Sequence, residues 1–266
     1  MSLLHHALKA GQAPRAPAPR AGTTRVAVVA GAGGPLGSAV LEQALARGGF
    51  AQVKVLATSP VAPAMRGFQA LTLDQLADAQ PAPDTGFVVF DRERHANGRE
   101  AAFLRPDPAG LAALAQRLRA AGVRRLLVVL PHAPALLPQA LKHGLATLDE
   151  QAVAALDFEQ VVFVRSAQAL AAAPAGGLGR LARLGRALLA QLHWMVPQHE
   201  QPVRPAKLAA LVAALARQLP EAPHGTRVLP PELVWLASQQ GDPQALVRAW
   251  LQGEPMPPLR ALKPRM

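Results

Sequence analysis

The segment from Arg25 to Ala46 constrains the fold more than any other part of this sequence. It reads RVAVVAGAGGPLGSAVLEQALA, which is an apolar run, a glycine turn and a stretch with helical periodicity. The valines at Val26, Val28 and Val29 are typical of a parallel strand, because such strands are covered on both faces and lose the alternation of half-exposed ones. We therefore predict a buried strand that ends at Ala30 and a helix that follows the turn.

Three spaced glycines in the turn have separate predicted roles. Gly31 can turn the chain out of the strand, Gly34 leaves room for a pyrophosphate, and Gly37 lets the helix pack close to the sheet. Pro35 suits the first turn of a helix, where its missing N–H costs nothing. The free N–H groups and the helix dipole then form an anion site, for which a dinucleotide phosphate is the predicted occupant and a purely structural turn the alternative. The candidate cofactor-binding residues of the turn are Gly31, Gly33, Gly34, Pro35, Leu36 and Gly37.

Further rounds of strand and helix follow the glycine turn. The predicted strands cover Val53–Ala57, Phe68–Leu73, Gly86–Phe90, Arg125–Leu130, Gln160–Arg165 and Thr226–Leu229. The predicted helices cover Pro106–Ala121, Pro138–Leu156, Leu178–Leu192 and Pro205–Leu219. Alternation this regular indicates an α/β fold with a doubly wound parallel sheet.

The predicted helices Pro106–Ala121 and Pro138–Leu156 each carry an apolar stripe at helical spacing, which we expect to face the sheet. The stripe of the first consists of Leu111, Leu114, Ala115 and Leu118. The stripe of the second consists of Leu141, Leu145, Leu148, Ala152 and Leu156.

The length and hydrophobic content suit one sizeable core, since half of the 266 residues are hydrophobic. Residues 1–22 are rich in Pro, Ala and Arg and are expected to form a disordered basic tail. Residues 23–238 are assigned to the nucleotide-binding domain and residues 239–266 to a helical, Pro-interrupted tail. No apolar run reaches the roughly 18 residues of a membrane span, and the N-terminus lacks the apolar core of a secretory signal, so we expect a cytoplasmic protein.

Cysteine and then tyrosine are the absences from the sequence that bear on its chemistry. The first absence excludes disulfides, thiolate nucleophiles and cysteine metal sites. The formal net charge of +11 could suggest a nucleic-acid partner, but the basic excess is nearly all Arg in an Ala- and Pro-rich chain, as GC-rich coding would produce. Because aromatic residues for base stacking are also scarce, a nucleic-acid partner is disfavoured.

The end of the second predicted strand is where a dinucleotide fold contacts the adenosine ribose. An acid there would favour NAD and an arginine NADP. Thr58 and Ser59 stand there instead, with Arg66 close enough in sequence to contact a 2′-phosphate, so the prediction leans to NADP over NAD. Asp74 follows the third predicted strand, where such folds often contact the adenine, and a helix N-cap is its alternative role.

Five segments occur in a recognisable order and spacing: GAGGPLG at Gly31, GFVVF at Gly86, AFLRPD at Ala102, AAGVRRLLVVLP at Ala120 and DFEQVVFVR at Asp157. Together they resemble the atypical short-chain dehydrogenase/reductases of the Tat-interacting-protein group, which are relatives of NmrA-like NAD(P)-binding proteins. The resemblance covers about residues 25–238. It implies a Rossmann fold with a small C-terminal helical substrate region and a bound NADP(H) or NAD(H).

The sequence departs from this group at the catalytic positions. Catalytic members use a Ser after the fifth strand and a Tyr and a Lys four residues apart on the next helix. Here the fifth strand runs into His132, and alignment puts Lys142 and Ala146 where the Tyr and the Lys would fall. Since the Tyr phenol is the general acid or base and the chain has no Tyr, realignment cannot restore this mechanism.

Two residues could contribute chemistry in place of the missing set. His132, at the carboxyl end of the fifth strand, is the candidate acid–base group, because imidazole titrates in the useful range. Lys142 could contact a cofactor ribose, or it could be an ordinary surface lysine. The histidines and acids show no metal-ligand spacing, so no metal site is predicted.

The sequence therefore predicts a NAD(P)-binding protein without ordinary dehydrogenase activity, acting as a nucleotide-responsive regulator with a small-molecule or protein partner that the sequence does not identify. Three alternatives stand beside it. One is an unusual oxidoreductase or epimerase that acts on a small carbonyl or sugar-nucleotide substrate through His132. The others are a scaffold that has lost its cofactor and a nucleic-acid-binding protein.

Overall fold

The computed structural model describes residues 25–47, 49–59, 67–91, 102–132, 145, 147–167 and 202–256. Its strands are β1 (Val26–Ala30), β2 (Gln52–Leu56), β3 (Phe68–Leu71), β4 (Thr85–Val89), β5 (Arg125–His132), β6 (Gln160–Ala167) and β7 (Gly225–Leu229). They form one parallel sheet in the order β3-β2-β1-β4-β5-β6-β7. This is the strand order of a doubly wound Rossmann fold with a seventh strand added, so the predicted fold class is confirmed.

Helices cover both faces of the sheet. They are α1 (Pro35–Arg47), α2 (Leu111–Ala120), α3 (Leu148–Ala154), α4 (Pro205–Gln218), α5 (Pro231–Gln239) and α6 (Gln244–Gln252). One core cluster joins α1, α4, α5 and α6 to the sheet, and a second cluster joins α2 and α3 to the opposite face. No helix in the described ranges is long and apolar enough to cross a lipid bilayer.

The glycine turn lies where the order of strands reverses. From β1 the chain proceeds outward to β2 and β3, and it then returns to place β4 on the other side of β1. In open α/β sheets this reversal opens a crevice at the carboxyl ends of the strands, and ligands bind there. The crevice of this fold therefore lies beside the end of β1.

The apolar stripe of α2 is buried as predicted, since Leu111, Leu114, Ala115 and Leu118 all belong to the core. The α6 helix also contributes buried residues, among them Leu246 and Leu251. The predicted boundary at residue 238 lies at the end of α5, and α5 and α6 both contribute residues to the same core cluster, so the division of the chain there stays a prediction. The predicted helix Leu178–Leu192 and the basic tail of residues 1–22 lie outside the described residues.

The predicted helix Pro138–Leu156 is wrong in its bounds, because α3 begins only at Leu148. Thr147 has an extended backbone, with φ −126° and ψ 159°, and its hydroxyl accepts a hydrogen bond from the backbone N–H of Glu150 at 3.1 Å. This is an N-cap, which satisfies one of the free N–H groups of the first turn and starts the helix at that point.

The buried face of α3 also differs from the predicted stripe. Leu148 is 82% exposed and Ala152 is exposed as well, so both predictions are wrong. The face against the sheet carries Val153 and Glu150 instead. Glu150 is held there because its carboxylate pairs with the guanidinium of Arg165 on β6 at 2.8 Å.

Candidate dinucleotide site at the carboxyl edge of the sheet

The glycine turn brings three backbone segments into close contact. Gly31 has a φ of +88°, a conformation that favours glycine, and a Cβ there would collide with the carbonyl oxygen of Val89 on β4. A Cβ on Gly37 would overlap the carbonyl oxygen of Gly31. Both glycines are therefore required by the packing of the turn itself, between β1, β4 and the first turn of α1.

Gly37→Ala is expected to lower the free energy of unfolding by about 3 kcal/mol, because the overlapping atom belongs to the backbone and α1 must shift to relieve it. The gain in helix propensity, up to about 1 kcal/mol, is smaller. Urea unfolding measures the change. Gly241→Ala is the control, since a Cβ at Gly241 has no atom within 4 Å and should change stability by less than about 0.5 kcal/mol. Equal effects of the two substitutions would contradict the conclusion that the packing of the turn requires a glycine at position 37.

Gly34 is required for a different reason. A Cβ at this position would lie 2.7 Å from Cγ and 2.8 Å from Cβ of Asp91, a residue that follows β4. The space that the sequence analysis reserved for a pyrophosphate is therefore filled in this structure by a side chain of the protein itself.

The Asp91 carboxylate lies on the N-terminus of α1. Its Oδ2 accepts hydrogen bonds from the backbone N–H of Leu36 at 2.5 Å and from that of Gly37 at 3.3 Å. The first turn of α1 contains no acidic residue of its own, so the acid that complements the helix dipole comes from the segment after β4. The helix N-terminus beside the glycine turn thus holds an anionic group, which is the chemistry expected of a phosphate site.

The connection between β4 and α2 begins near Asp91. A later part of this connection crosses the carboxyl ends of β2 and β1. This crossing segment, Ala102–Leu104, forms an antiparallel bridge to Ala57 through its central residue. Its first carbonyl oxygen accepts hydrogen bonds from the backbone N–H of Thr58 at 2.8 Å and from the Thr58 hydroxyl at 3.2 Å. Its last carbonyl oxygen accepts from the N–H of Gly31 at 3.0 Å. The chain therefore covers the position where an adenosine ribose would approach β2.

The residues nominated for the adenosine half of a cofactor are not brought together by the described structure. Thr58 bonds to the crossing segment, and Ser59 next to it is exposed. Asp74 pairs with the Arg117 guanidinium on α2 at 2.9 Å. Its alternative role as a helix N-cap is wrong, because residues 73–78 form turns and not a helix. Arg66 lies outside the described residues.

The candidate catalytic position lies two strands away from β1. The β5 strand extends past its predicted end at Leu130 to His132, whose backbone is in register with Ala167 of β6. The side chain of His132 and the whole of Lys142 lie outside the described residues. Among the described residues, no group of three or more His, Asp or Glu side chains could hold a metal ion.

A buried ion pair lies beneath this end of the sheet and was not predicted from the sequence. Arg165, in register with Leu130, pairs with Glu150 while only 3% and 5% of the two side chains are exposed. The signals were present, because an Arg stands at the end of the apolar run VVFVR and the sequence from Thr147 to Glu150 matches a capping box. The pair fixes α3 against the carboxyl end of β6.

A second buried charge was also missed, within β2. Lys54 is fully buried and is in register with Val28 of β1, and its Nζ has no hydrogen-bond partner among the described residues. Burial lowers the pKa of the Lys54 ammonium, because an apolar environment disfavours the charged form. Lys54 is the central residue of β2 and lies two residues before the carboxyl end of that strand.

The strand order, together with a glycine turn at its point of reversal, defines the class: this is a Rossmann-fold protein. No protein-family model matches the sequence, and no curated protein matches it.

Solved structures with a similar fold include WbmG of Bordetella bronchiseptica in complex with NAD, at 18% identity over 83% of this chain and 79% of that chain, with a TM-score of 0.45. An oxidoreductase of the short-chain dehydrogenase/reductase family from Burkholderia thailandensis is 16% identical over 79% and 91%, with a TM-score of 0.44. A Rossmann-fold NAD(P)-binding family protein from Shigella flexneri is 14% identical over 77% and 93%, with a TM-score of 0.43. At this distance the likeness says nothing of what this chain binds, and the Tat-interacting-protein-like subgroup stays a prediction.

Proposed function

We propose that this protein binds NAD(P)(H) at the glycine turn and acts as a nucleotide-responsive protein without ordinary dehydrogenase activity. The observation that supports this most is the anionic group on the N-terminus of α1, where two backbone N–H groups donate to one carboxylate oxygen. This arrangement lies at the point where the strand order reverses, which is where doubly wound folds bind dinucleotides.

In the proposed complex the pyrophosphate accepts the hydrogen bonds of the Leu36 and Gly37 N–H groups. The adenosine half extends toward the end of β2, where Thr58, Ser59 and Arg66 would meet the ribose. Because the Thr58 hydroxyl already donates to the crossing segment, any preference for NADP over NAD would depend mainly on Arg66. The nicotinamide half extends toward the end of β5 and His132.

The absence of tyrosine supports a role in binding and not in ordinary carbonyl reduction. In the mechanism expected of catalytic short-chain dehydrogenase/reductases, a tyrosine phenol must protonate or deprotonate the substrate oxygen beside the nicotinamide. Without it, the consequence of cofactor binding would be a change in conformation or in partner affinity, which requires only that the cofactor bind one conformation more tightly than another.

A cofactor-free scaffold is the second candidate, and specific contacts favour it. Asp91 fills the space beside Gly34, and the crossing segment covers the end of β2. If these contacts are permanent, the glycines serve only the packing of the turn.

Thermal denaturation with added ligands separates the two candidates. We expect NAD(P)(H), and ADP-ribose, to raise the thermal midpoint, since a ligand at 100 times its Kd stabilises the folded state by about 2.7 kcal/mol. Adenosine, which lacks the pyrophosphate, should have little effect. If none of the four forms of the dinucleotide shifts the thermal midpoint at millimolar concentration, the result favours the cofactor-free scaffold.

A further inference from the structure

We propose that the Asp91 carboxylate is a built-in competitor of the dinucleotide pyrophosphate, so that the cofactor must displace it to bind. This inference rests on the proposed function and adds to it a residue that sets the affinity. It concerns a contact within the chain that the glycine motif alone does not reveal.

The competition follows from the donors that the two anions would share. The Leu36 and Gly37 N–H groups both donate to Oδ2 of Asp91. A phosphate oxygen cannot take up the same positions while the carboxylate remains, and two anionic groups in contact also repel each other. The Asp91 carboxylate therefore takes the hydrogen bonds that a phosphate would need.

The space beside Gly34 supports the same conclusion. A side chain at position 34 would overlap the Asp91 carboxylate, so the absence of a side chain there serves Asp91 in the empty state. In the bound state the same space would receive the pyrophosphate. Because Asp91 lies two residues after the end of β4, its displacement would change the chain next to the glycine turn and so link occupancy of the crevice to conformation.

Asp91→Ala and Asp91→Asn test the proposal by their opposite effects on the empty protein and on binding. Without ligand both variants should have a lower thermal midpoint, because the charged cap of α1 is lost. Their Kd for NADH and NADPH, measured by isothermal titration calorimetry, should fall about tenfold for Ala and less for Asn, because a larger fraction of the protein is competent to bind. A residue that only stabilised the turn would not tighten binding when removed.

Asp242→Asn is the matched control. The Asp242 carboxylate also accepts a hydrogen bond from the first backbone N–H of a helix, that of Gln244 at 3.1 Å, but this contact lies at the start of α6 and not at the glycine turn. The control should lower the thermal midpoint of the empty protein and leave the Kd unchanged.

The outcomes are distinguishable. Tighter binding by the Asp91 variants supports the proposal that the Asp91 carboxylate competes with the cofactor. Binding by Asp91→Ala supports it also if the wild type shows no binding. If the wild type binds and the folded variants bind equally or more weakly, the competitor is overturned and the proposed function stands. If neither the wild type nor either variant binds, the proposed function fails and the competitor fails with it.

Discussion

Arg165→Met is expected to lower the free energy of unfolding by about 3 kcal/mol, because it removes one partner of a buried ion pair. The Glu150 carboxylate, in a position where 5% of its side chain is exposed, would lose the guanidinium that lies 2.8 Å from it. Because Glu150 lies in the first turn of α3, the helix should also detach from the end of β6. Chemical denaturation followed by circular dichroism measures the loss.

The surface pair formed by Arg117 and Asp74 provides the matched control. The Arg117 Nη2 and Asp74 Oδ1 atoms lie 2.9 Å apart, almost the same distance as in the buried pair, but the two side chains are 50% and 87% exposed. Arg117→Met should therefore change stability by less than about 1 kcal/mol. Adding Glu150→Leu to Arg165→Met should restore most of the lost stability, since no buried charge remains. A double variant as unstable as the single one would show that the pair itself is not the cause.

Local sequence signals predicted most of the sheet and the turn. The strands are short apolar runs bounded by turn residues, and the glycines have the spacing that a close strand-to-helix connection requires. The sequence signal for the start of α3 was equally local, but the predicted helix did not use it. Five apolar residues at helical spacing outweighed the capping box of Thr147 and Glu150, which is the better marker of where a helix begins.

The contacts that fill the crevice could not be predicted in the same way. Asp91 and Leu36 are 55 residues apart in sequence, and their hydrogen bond depends on β4 lying beside β1. The crossing segment contacts Thr58 across 44 residues, through a backbone carbonyl oxygen that carries no sequence signature. An acid directly after a strand next to β1 is the one clue that the sequence offered. The motif predicts an anion site, but the position of the Asp91 carboxylate on those N–H groups depends on tertiary structure.

Lys54→Met is expected to raise the free energy of unfolding by about 1–3 kcal/mol near neutral pH. Lys54 lies in the middle of β2, where its strand neighbours Val53 and Val55 are core residues, and its Nζ has no hydrogen-bond partner among the described residues. Burying an amino group without a partner is unfavourable, whereas a thioether of similar length fills the same volume without that penalty. Lys207→Met is the control, because Lys207 on α4 is exposed and its removal should have little effect.

The pH dependence of this gain identifies its cause. Burial lowers the pKa of Lys54 in the folded protein, while in the unfolded chain it stays near the ordinary value of about 10.4. Between these two values the unfolded chain binds more protons, so the stability of the wild type rises with pH. Lys54→Met removes this slope. Its advantage should be largest below the folded-state pKa and should shrink as the pH approaches about 10.4. A gain that stays constant across this range would mean that improved packing, and not the buried amine, accounts for the stabilisation.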